Sequence, residues 1–325
     1  MPVFDDRRKR LFCPTAAPKS PKVILRTVRL FEPDGGDGLL GDVPQDAVHA
    51  GNSLDDPMIE KGSWALMPPD GSPFPWRTAN DADYDITGGL TPQGAYRSVV
   101  WGNRQTYLFA WLPEACGKTE LITPWGFPAV APRWHFTGQE GKPVELLVFS
   151  GAQEVEVFVN GESIGRKEVS RERPLPCSAR FETVYRPGRV EAVSYTDGQE
   201  VGRASLETAG PAVRLRLVPE KTAMKADGED LAYVEIRAED ERGNIVPDAE
   251  IPLTAQVTGP AELAGFGTAN PITDEDYTDN ETVTYRGRAL AIIRPGTEAG
   301  EVRLTVSGKG IPECAATLRC VPDNE

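Results

Sequence analysis

Glu154-Val155-Glu156-Val157-Phe158-Val159-Asn160-Gly161 is the stretch whose reading decides the fold class. Valine recurs at every second position, so three valines share one face of an extended chain. Asn-Gly follows at once. It is a favoured two-residue hairpin turn, because both of its central positions need positive φ. The neighbouring sequence continues this pattern. Val144 to Phe149 reads as a strand before the hairpin, and Phe181 to Tyr185 as one after it, broken by Arg186-Pro187-Gly188. Val190, Ala192 and Ser194 alternate with Glu191, Val193 and Tyr195, and Asp197-Gly198 supplies a second hairpin turn. The expectation is a small antiparallel sandwich over about 142–208.

Thr208-Ala209-Gly210-Pro211 reads as a linker. Beyond it, strands are expected near 213–218, 231–239, 251–257, 282–285, 288–293, 301–306 and 314–321. Asp227-Gly228, Arg242-Gly243-Asn244, Pro260 and Pro295-Gly296 supply the turns. Seven short strands in about 110 residues is an immunoglobulin-like pattern, in its broad form without the Cys…Trp…Cys core.

Upstream, Thr91 suits a helix cap and Pro92 the first helical position, with Tyr96, Val99 and Val100 on one face. A strand follows in which Tyr107, Phe109 and Trp111 alternate with Thr106, Leu108 and Ala110. Residues 1–70 show no sustained period; Pro33 to Gly38 is a loop signal, and Val23 to Phe31 can form one strand.

Composition narrows the function. Acidic residues number 49 against 35 basic ones, a net charge of −14. That excludes nucleic acid and anionic membrane surfaces as expected partners, since both reward cations. No apolar run approaches the ~20 residues that span a bilayer. Arg7-Arg8-Lys9-Arg10 is followed by no apolar signal core, which favours the cytoplasm. Five cysteines without a CxxC, and only His49 and His135 to help them, point to free thiols and to no metal or cofactor.

Nucleophilic triads need a histidine base. His49 lies in the unpatterned region, and His135 reads as a packed residue between Trp134 and Phe136. Gly265-Phe266-Gly267 reads as a turn or bulge, not a phosphate cradle. Glycoside hydrolysis needs only two carboxylates. Asp81, Asp83 and Asp85 alternate beside Trp76 and Tyr84, either as an aromatic-and-acid sugar site or as a solvated loop. Asp227, Glu229 and Asp230, and then Asp274, Glu275, Asp276 and Asp279, lack calcium-loop spacing and read as acidic turns.

Several motifs together carry a family resemblance. Phe74-Pro75-Trp76, Asp83-Tyr84-Asp85-Ile86-Thr87-Gly88, Pro92-Gln93-Gly94-Ala95-Tyr96-Arg97 and Val100-Trp101-Gly102 resemble the end of the catalytic barrel in bacterial β-galactosidases of glycoside hydrolase family 2. Trp125-Gly126-Phe127-Pro128, Trp134-His135-Phe136 and Glu140 to Val144 are similar to the passage out of that barrel. The Glu154–Gly165 hairpin, Tyr185-Arg186-Pro187-Gly188 and Ala192 to Tyr195 are similar to the family's following β-sandwich. Ala226 to Leu231, Gly243-Asn244 with Pro247, Gly265 to Gly267 and Tyr285 to Leu290 resemble its C-terminal immunoglobulin-like domain. The resemblance covers about 74–312.

The resemblance implies a mainly β chain: two consecutive immunoglobulin-like β-sandwich domains after an incomplete α/β N-terminal segment. Residues 1–73 are unassigned and irregular. Residues 74–141 would be the remnant of the end of a (β/α)8 barrel plus linker, 142–210 the β-sandwich, and 211–325 the C-terminal domain. Such barrels need about 250 residues, and only 141 precede the sandwich here. The family's enzymes use two glutamates, with carboxyls ~5–5.5 Å apart in the retaining mechanism. The acid/base glutamate follows an asparagine; this chain has that pair only at Asn280-Glu281 and Asn324-Glu325. Asp81-Ala82 and Gly89 depart from the family pattern. No catalytic residue carries over, and Trp76 and Asp83 match positions near the sugar pocket as substrate-binding candidates.

The expected function is thus the accessory C-terminal region of a β-galactosidase-like hydrolase, not catalytic on its own. It would meet a β-galactoside-type carbohydrate through the full enzyme, and its partner would be the missing barrel or another subunit. The alternative is a stand-alone carbohydrate-binding or protein-interaction module using Trp101, Trp111, Trp125 or Trp134 as platforms.

Overall fold

The computed structural model describes residues 48–50, 82–111, 120–122, 127–128, 130–170 and 175–322. Two compact units hold the sandwiches, one running up to Glu207 and the other from Thr208 on, the second also taking in the short stretch Asp85–Gly89. In chain order the first contains β1 (Val48–Ala50), α1 (Pro92–Val100), β2 (Tyr107–Trp111), β3 (Glu120–Ile122), β4 (Val130–Ala131), β5 (Pro143–Phe149), β6 (Glu154–Val159), β7 (Glu162–Glu168), β8 (Ser178–Val184), β9 (Arg189–Thr196) and β10 (Gln199–Glu207). β1 and β3 form a short parallel pair. The others form two four-stranded antiparallel sheets, ordered β4-β2-β5-β8 and β10-β9-β6-β7.

The alternating valines act as the pattern requires. Val155, Val157 and Val159 are wholly buried against Leu108, Val144, Leu146, Val148 and Phe181 of the opposite sheet. Full burial of such a side chain contributes about 1.5–3 kcal/mol. The hairpin turns close with positive φ at Asn160 (53°) and Gly161 (84°), and at Asp197 (52°) and Gly198 (78°).

Two readings of the sequence change. Tyr107–Trp111, assigned by resemblance to the segment before the sandwich, pairs antiparallel with β5 inside it. Its residues also do not alternate in burial, because both faces are covered: Leu108 and Ala110 face the sandwich core, while Phe109 and Trp111 face a second layer with Ala95 and Val99 of α1. The helix is capped as expected, the Thr91 Oγ1 accepting from the Gly94 amide at 3.1 Å. Its buried face, however, is Gln93, Gly94, Ala95 and Val99, and Val100 is 44% exposed. The rotation follows from α1 lying over β2 and β5, where Tyr96 meets the rings of Phe127 and Phe149.

The second unit holds β11 (Arg214–Pro219), β12 (Ala223–Lys225), β13 (Ala232–Glu239), β14 (Pro252–Thr258), β15 (Ala261–Gly267), β16 (Glu281–Val283), β17 (Arg288–Pro295), β18 (Gly300–Gly308) and β19 (Ile311–Val321). Its sheets run β11-β13-β17-β15 and β12-β19-β18-β14-β16. Between them lies a core of Met224, Val234, Ile236, Leu253, Phe266, Ile293, Leu304 and Leu318, each at most 2% exposed. β12 and β15 have no strand counterpart in the sequence reading. β15 is irregular: its register with β17 shifts between Leu263 and Gly265, so Gly265-Phe266-Gly267 follows a bulge within an edge strand. The chain is mainly β, and its sandwiches are antiparallel, as the sequence pattern requires, apart from the short parallel pairing of β12 with β19.

Candidate functional site

Asp83 sits on the loop that leads into α1. Its Oδ1 is paired with the Arg97 guanidinium one turn before the end of that helix. Its backbone carbonyl accepts from the Thr91 amide at 3.0 Å and the Thr91 hydroxyl at 3.2 Å. The loop is thus sewn to the helix N-terminus by its backbone and to the last turn by its side chain. Asp83 Oδ2 makes no hydrogen bond among the described residues, and an ionised carboxylate keeps acceptor capacity there for a ligand hydroxyl. Trp76, the other substrate-binding candidate, and Asp81 lie outside the described residues.

Asp85 serves the loop itself. Its Oδ1 accepts from the Thr87 amide (2.9 Å), the Thr87 hydroxyl (2.8 Å) and the Gly89 amide (2.9 Å). Of the acidic cluster, then, one carboxylate is ion-paired and one is spent on its own turn. Tyr84, 60% exposed, and Leu90 form the bridge across this loop.

Gly94 explains the tightness of the junction. A Cβ there would stand 2.2 Å from the Asp83 carbonyl oxygen. Gly94→Ala is therefore expected to displace the loop, at about 1–3 kcal/mol. Amide exchange over 83–90 should accelerate, whereas Gly151→Ala, whose Cβ would meet nothing nearer than 3.8 Å, should leave it unchanged. Arg97 was part of the sequence motif, but its role as the partner of Asp83 was not legible, since fourteen residues separate them.

The aromatic candidates divide. Trp111 and Trp134 are core residues, at most 1% exposed; Trp134 packs edge-on against Phe136 and Tyr185 and donates to the Arg186 carbonyl at 3.1 Å. Trp101 is 79% exposed, and Trp125 lies outside the described residues. His135 is half-buried beside Trp134 and Phe136, its Nε2 3.4 Å from the Thr137 hydroxyl. His49 lies on β1.

The acidic turns of the second unit are built on backbone amides. Asp227 Oδ1 accepts from the Glu229 and Asp230 amides, which hold its pKa below the usual aspartate value. Asp230 takes Lys221 at 2.6 Å and the Lys225 and Leu231 amides, and Lys221 leads in lowering its pKa. Glu275 accepts from Val283 and Thr282. Among the described residues no three His, Cys, Asp or Glu side chains are grouped to hold a metal. Asn280-Glu281 stands at the start of β16, with Glu281 exposed.

Asp240 escaped the sequence reading. Its buried carboxylate accepts from the amides of Arg242 (2.9 Å), Asn244 (2.8 Å) and Gly210 (2.8 Å) and from the Asn244 side chain (3.2 Å). Burial by itself would raise its pKa; these donors outweigh burial and hold it below the usual value. Arg242-Gly243-Asn244 was legible as a turn, but nothing in the sequence marks Gly210 as its partner.

Residues 215–317 match the family described as glycoside hydrolase family 2 C-terminal domain 5, and residues 141–202 match the family described as domain of unknown function (DUF4982). The β-galactosidase BoGH2A of Bacteroides ovatus is 30% identical over 188 residues, covering 58% of this chain and 22% of that protein. A β-galactosidase of Thermoanaerobacter pseudethanolicus is 28% identical over 182 residues, covering 52% and 23%. The crystal structure of a glycosyl hydrolase family 2 member from Bacteroides cellulosilyticus superposes with a TM-score of 0.71 at 32% identity, over 76% of this chain and 32% of that one. The chain thus spans between a fifth and a third of the length of these relatives.

Proposed function

From a chain that carries the C-terminal portion of a glycoside hydrolase family 2 protein, we propose an accessory role in a β-galactosidase-like hydrolase, without glycoside hydrolysis by these residues themselves. The observation that carries the reading is the match of residues 215–317 to a C-terminal domain of that family. Two features support it. Asp85, Asp227 and Asp230 are engaged by their own turns, and Asp83 by Arg97. The Asn-Glu pair at 280–281 belongs to a sandwich strand, not to the C-terminal end of a barrel strand where such enzymes keep their catalytic groups.

On this reading the two sandwiches buttress a catalytic barrel, and the residues ahead of β2 lead out of it. Asp83 would help hold the sugar there, its Oδ2, unengaged among the described residues, accepting a hydroxyl of a β-galactoside, with Trp76, outside the described residues, as the companion candidate.

The test is direct. The 325-residue chain, purified to homogeneity, is given 4-nitrophenyl β-D-galactopyranoside. Release of nitrophenol should not exceed that in buffer. A kcat approaching ~1 s⁻¹, the lower end of ordinary enzymes, that co-elutes with the chain would overturn the proposal.

A further inference from the structure

The outer face of the sheet β11-β13-β17-β15 carries an arginine row. Arg216 of β11 stands directly opposite Arg237 of β13, and Arg237 directly opposite Arg288 of β17. Cross-strand partners point to the same face, and the intervening Leu215, Ile236 and Ala289 point into the core. One step along, Arg214 stands opposite Glu239. Four arginines therefore gather on one patch.

Two acids answer them. Glu235 is shared between Arg237 and Arg288. Glu239 holds Arg214 at 3.1 Å and reaches Arg216 only at 3.8 Å. Arg216 is also the most exposed of the four, at 60% of its side chain. The patch keeps a net positive charge on a chain whose total is −14. Like charges set directly opposite destabilise a sheet, and here two carboxylates serve four guanidinium groups, so the row is only half neutralised.

From this row we propose that the outer face of the second unit binds an anionic polysaccharide, one bearing carboxylate or sulfate groups on successive sugars. Three features select that ligand. The guanidinium fork matches carboxylate and sulfate geometry in a way a lysine does not. Neighbouring strands are about 4.8 Å apart, so the three arginines form a line suited to a repeating chain of charges more than to a single small anion. Tyr233 is exposed on the same face, two steps along β13 from Glu235, and faces Ile292 across the strand pair. It offers a ring on which a sugar can lie. The proposal does not depend on whether the chain is an accessory region of a larger enzyme.

The experiment is affinity electrophoresis of the full chain in gels containing polygalacturonate, dextran sulfate, neutral galactan or no polymer. Retardation is expected with the two anionic polymers and not with galactan. It should fade as salt shortens the range of the charges. Arg216→Gln with Arg288→Gln should weaken retardation about tenfold, the scale of losing one charge-assisted hydrogen bond or slightly more. Arg303→Gln, on the other sheet, should leave it intact. No retardation by either anionic polymer overturns the proposal, as does equal retardation of the double variant. Equal retention of duplex DNA overturns it too, by showing a surface indifferent to the kind of polyanion. Tyr233→Ala separates ring from charge: it should weaken polygalacturonate binding and leave the salt dependence unchanged.

Discussion

Trp134→Ala should cost the first sandwich about 3–5 kcal/mol, the range for deleting a fully buried tryptophan. The indole is 1% exposed and lies edge-on against Phe136 and Tyr185, with centroids 6.2 and 5.1 Å away. Edge-on aromatic pairs add about 0.5–1.5 kcal/mol beyond their burial. Its Nε1 also ties the segment before β5 to the Arg186 carbonyl beyond β8, so the truncation leaves a buried acceptor without its donor. Tyr185 in turn donates from its amide to Lys142 and accepts at its carbonyl from Gly141, which extends the damage to the entrance of β5. Because the chain has two units, a single unfolding midpoint would mix them. Amide exchange resolved by segment is the proper readout: protection should fall across β5, β6 and β8 and hold across β13 and β18. Unchanged protection in the first sandwich would show that Trp134 is not a keystone of that core. Trp134→Phe should recover part of the loss by refilling the cavity without restoring the hydrogen bond.

The second large effect belongs to Asp240. Asp240→Ala should destabilise the second unit by about 1–3 kcal/mol, since it leaves the part-buried amides of Gly210, Arg242 and Asn244 without their acceptor. The native group also makes stability depend on pH. Its folded pKa lies below the unfolded value, so the ionised form is favoured by folding. That contribution is fully present above the unfolded value and is lost as pH falls through the folded one, from about pH 4 downward. Asp230 and Asp227 titrate in the same sense, but they are more exposed and their effect is smaller. Unfolding of the second unit measured between pH 7 and pH 3 should show the steeper fall in the native chain. The Asp240→Ala protein should begin less stable and lose less on acidification. Parallel curves for the two proteins would exclude Asp240 as the acid-sensitive group.

Much of this was legible from local pattern. A period of two in Glu154–Val159 and the positive-φ demand of Asn160-Gly161 are short-range facts, and hairpins obey them directly. Thr91 and Pro92 mark a helix start for the same reason. The strands that escaped notice lack such signals. β12 is three residues long, and β15 contains a bulge and four glycines or alanines, where an alternating pattern would need branched residues. The turn at Arg286-Gly287 has φ of 52° and 70°, yet arginine is not a residue that announces positive φ.

The candidate site was legible only as an inventory. Asp83, Asp85 and Tyr84 stood out by composition, and their family likeness suggested a sugar. Which carboxylate is occupied by which donor depends on partners that the chain brings back from a distance: Arg97 to Asp83, Gly210 to Asp240, Glu239 to Arg216. By itself, the sequence determined the mainly β class, the hairpins and the capped helix, because each rests on spacing within a few residues, and a run of motifs carried the family resemblance. Only the tertiary structure decided that Trp111 and Trp134 are core, that β2 belongs to the first sandwich, and that three arginines stand in one row. Burial and cross-strand register are set by strands far apart in sequence, and no local period encodes them.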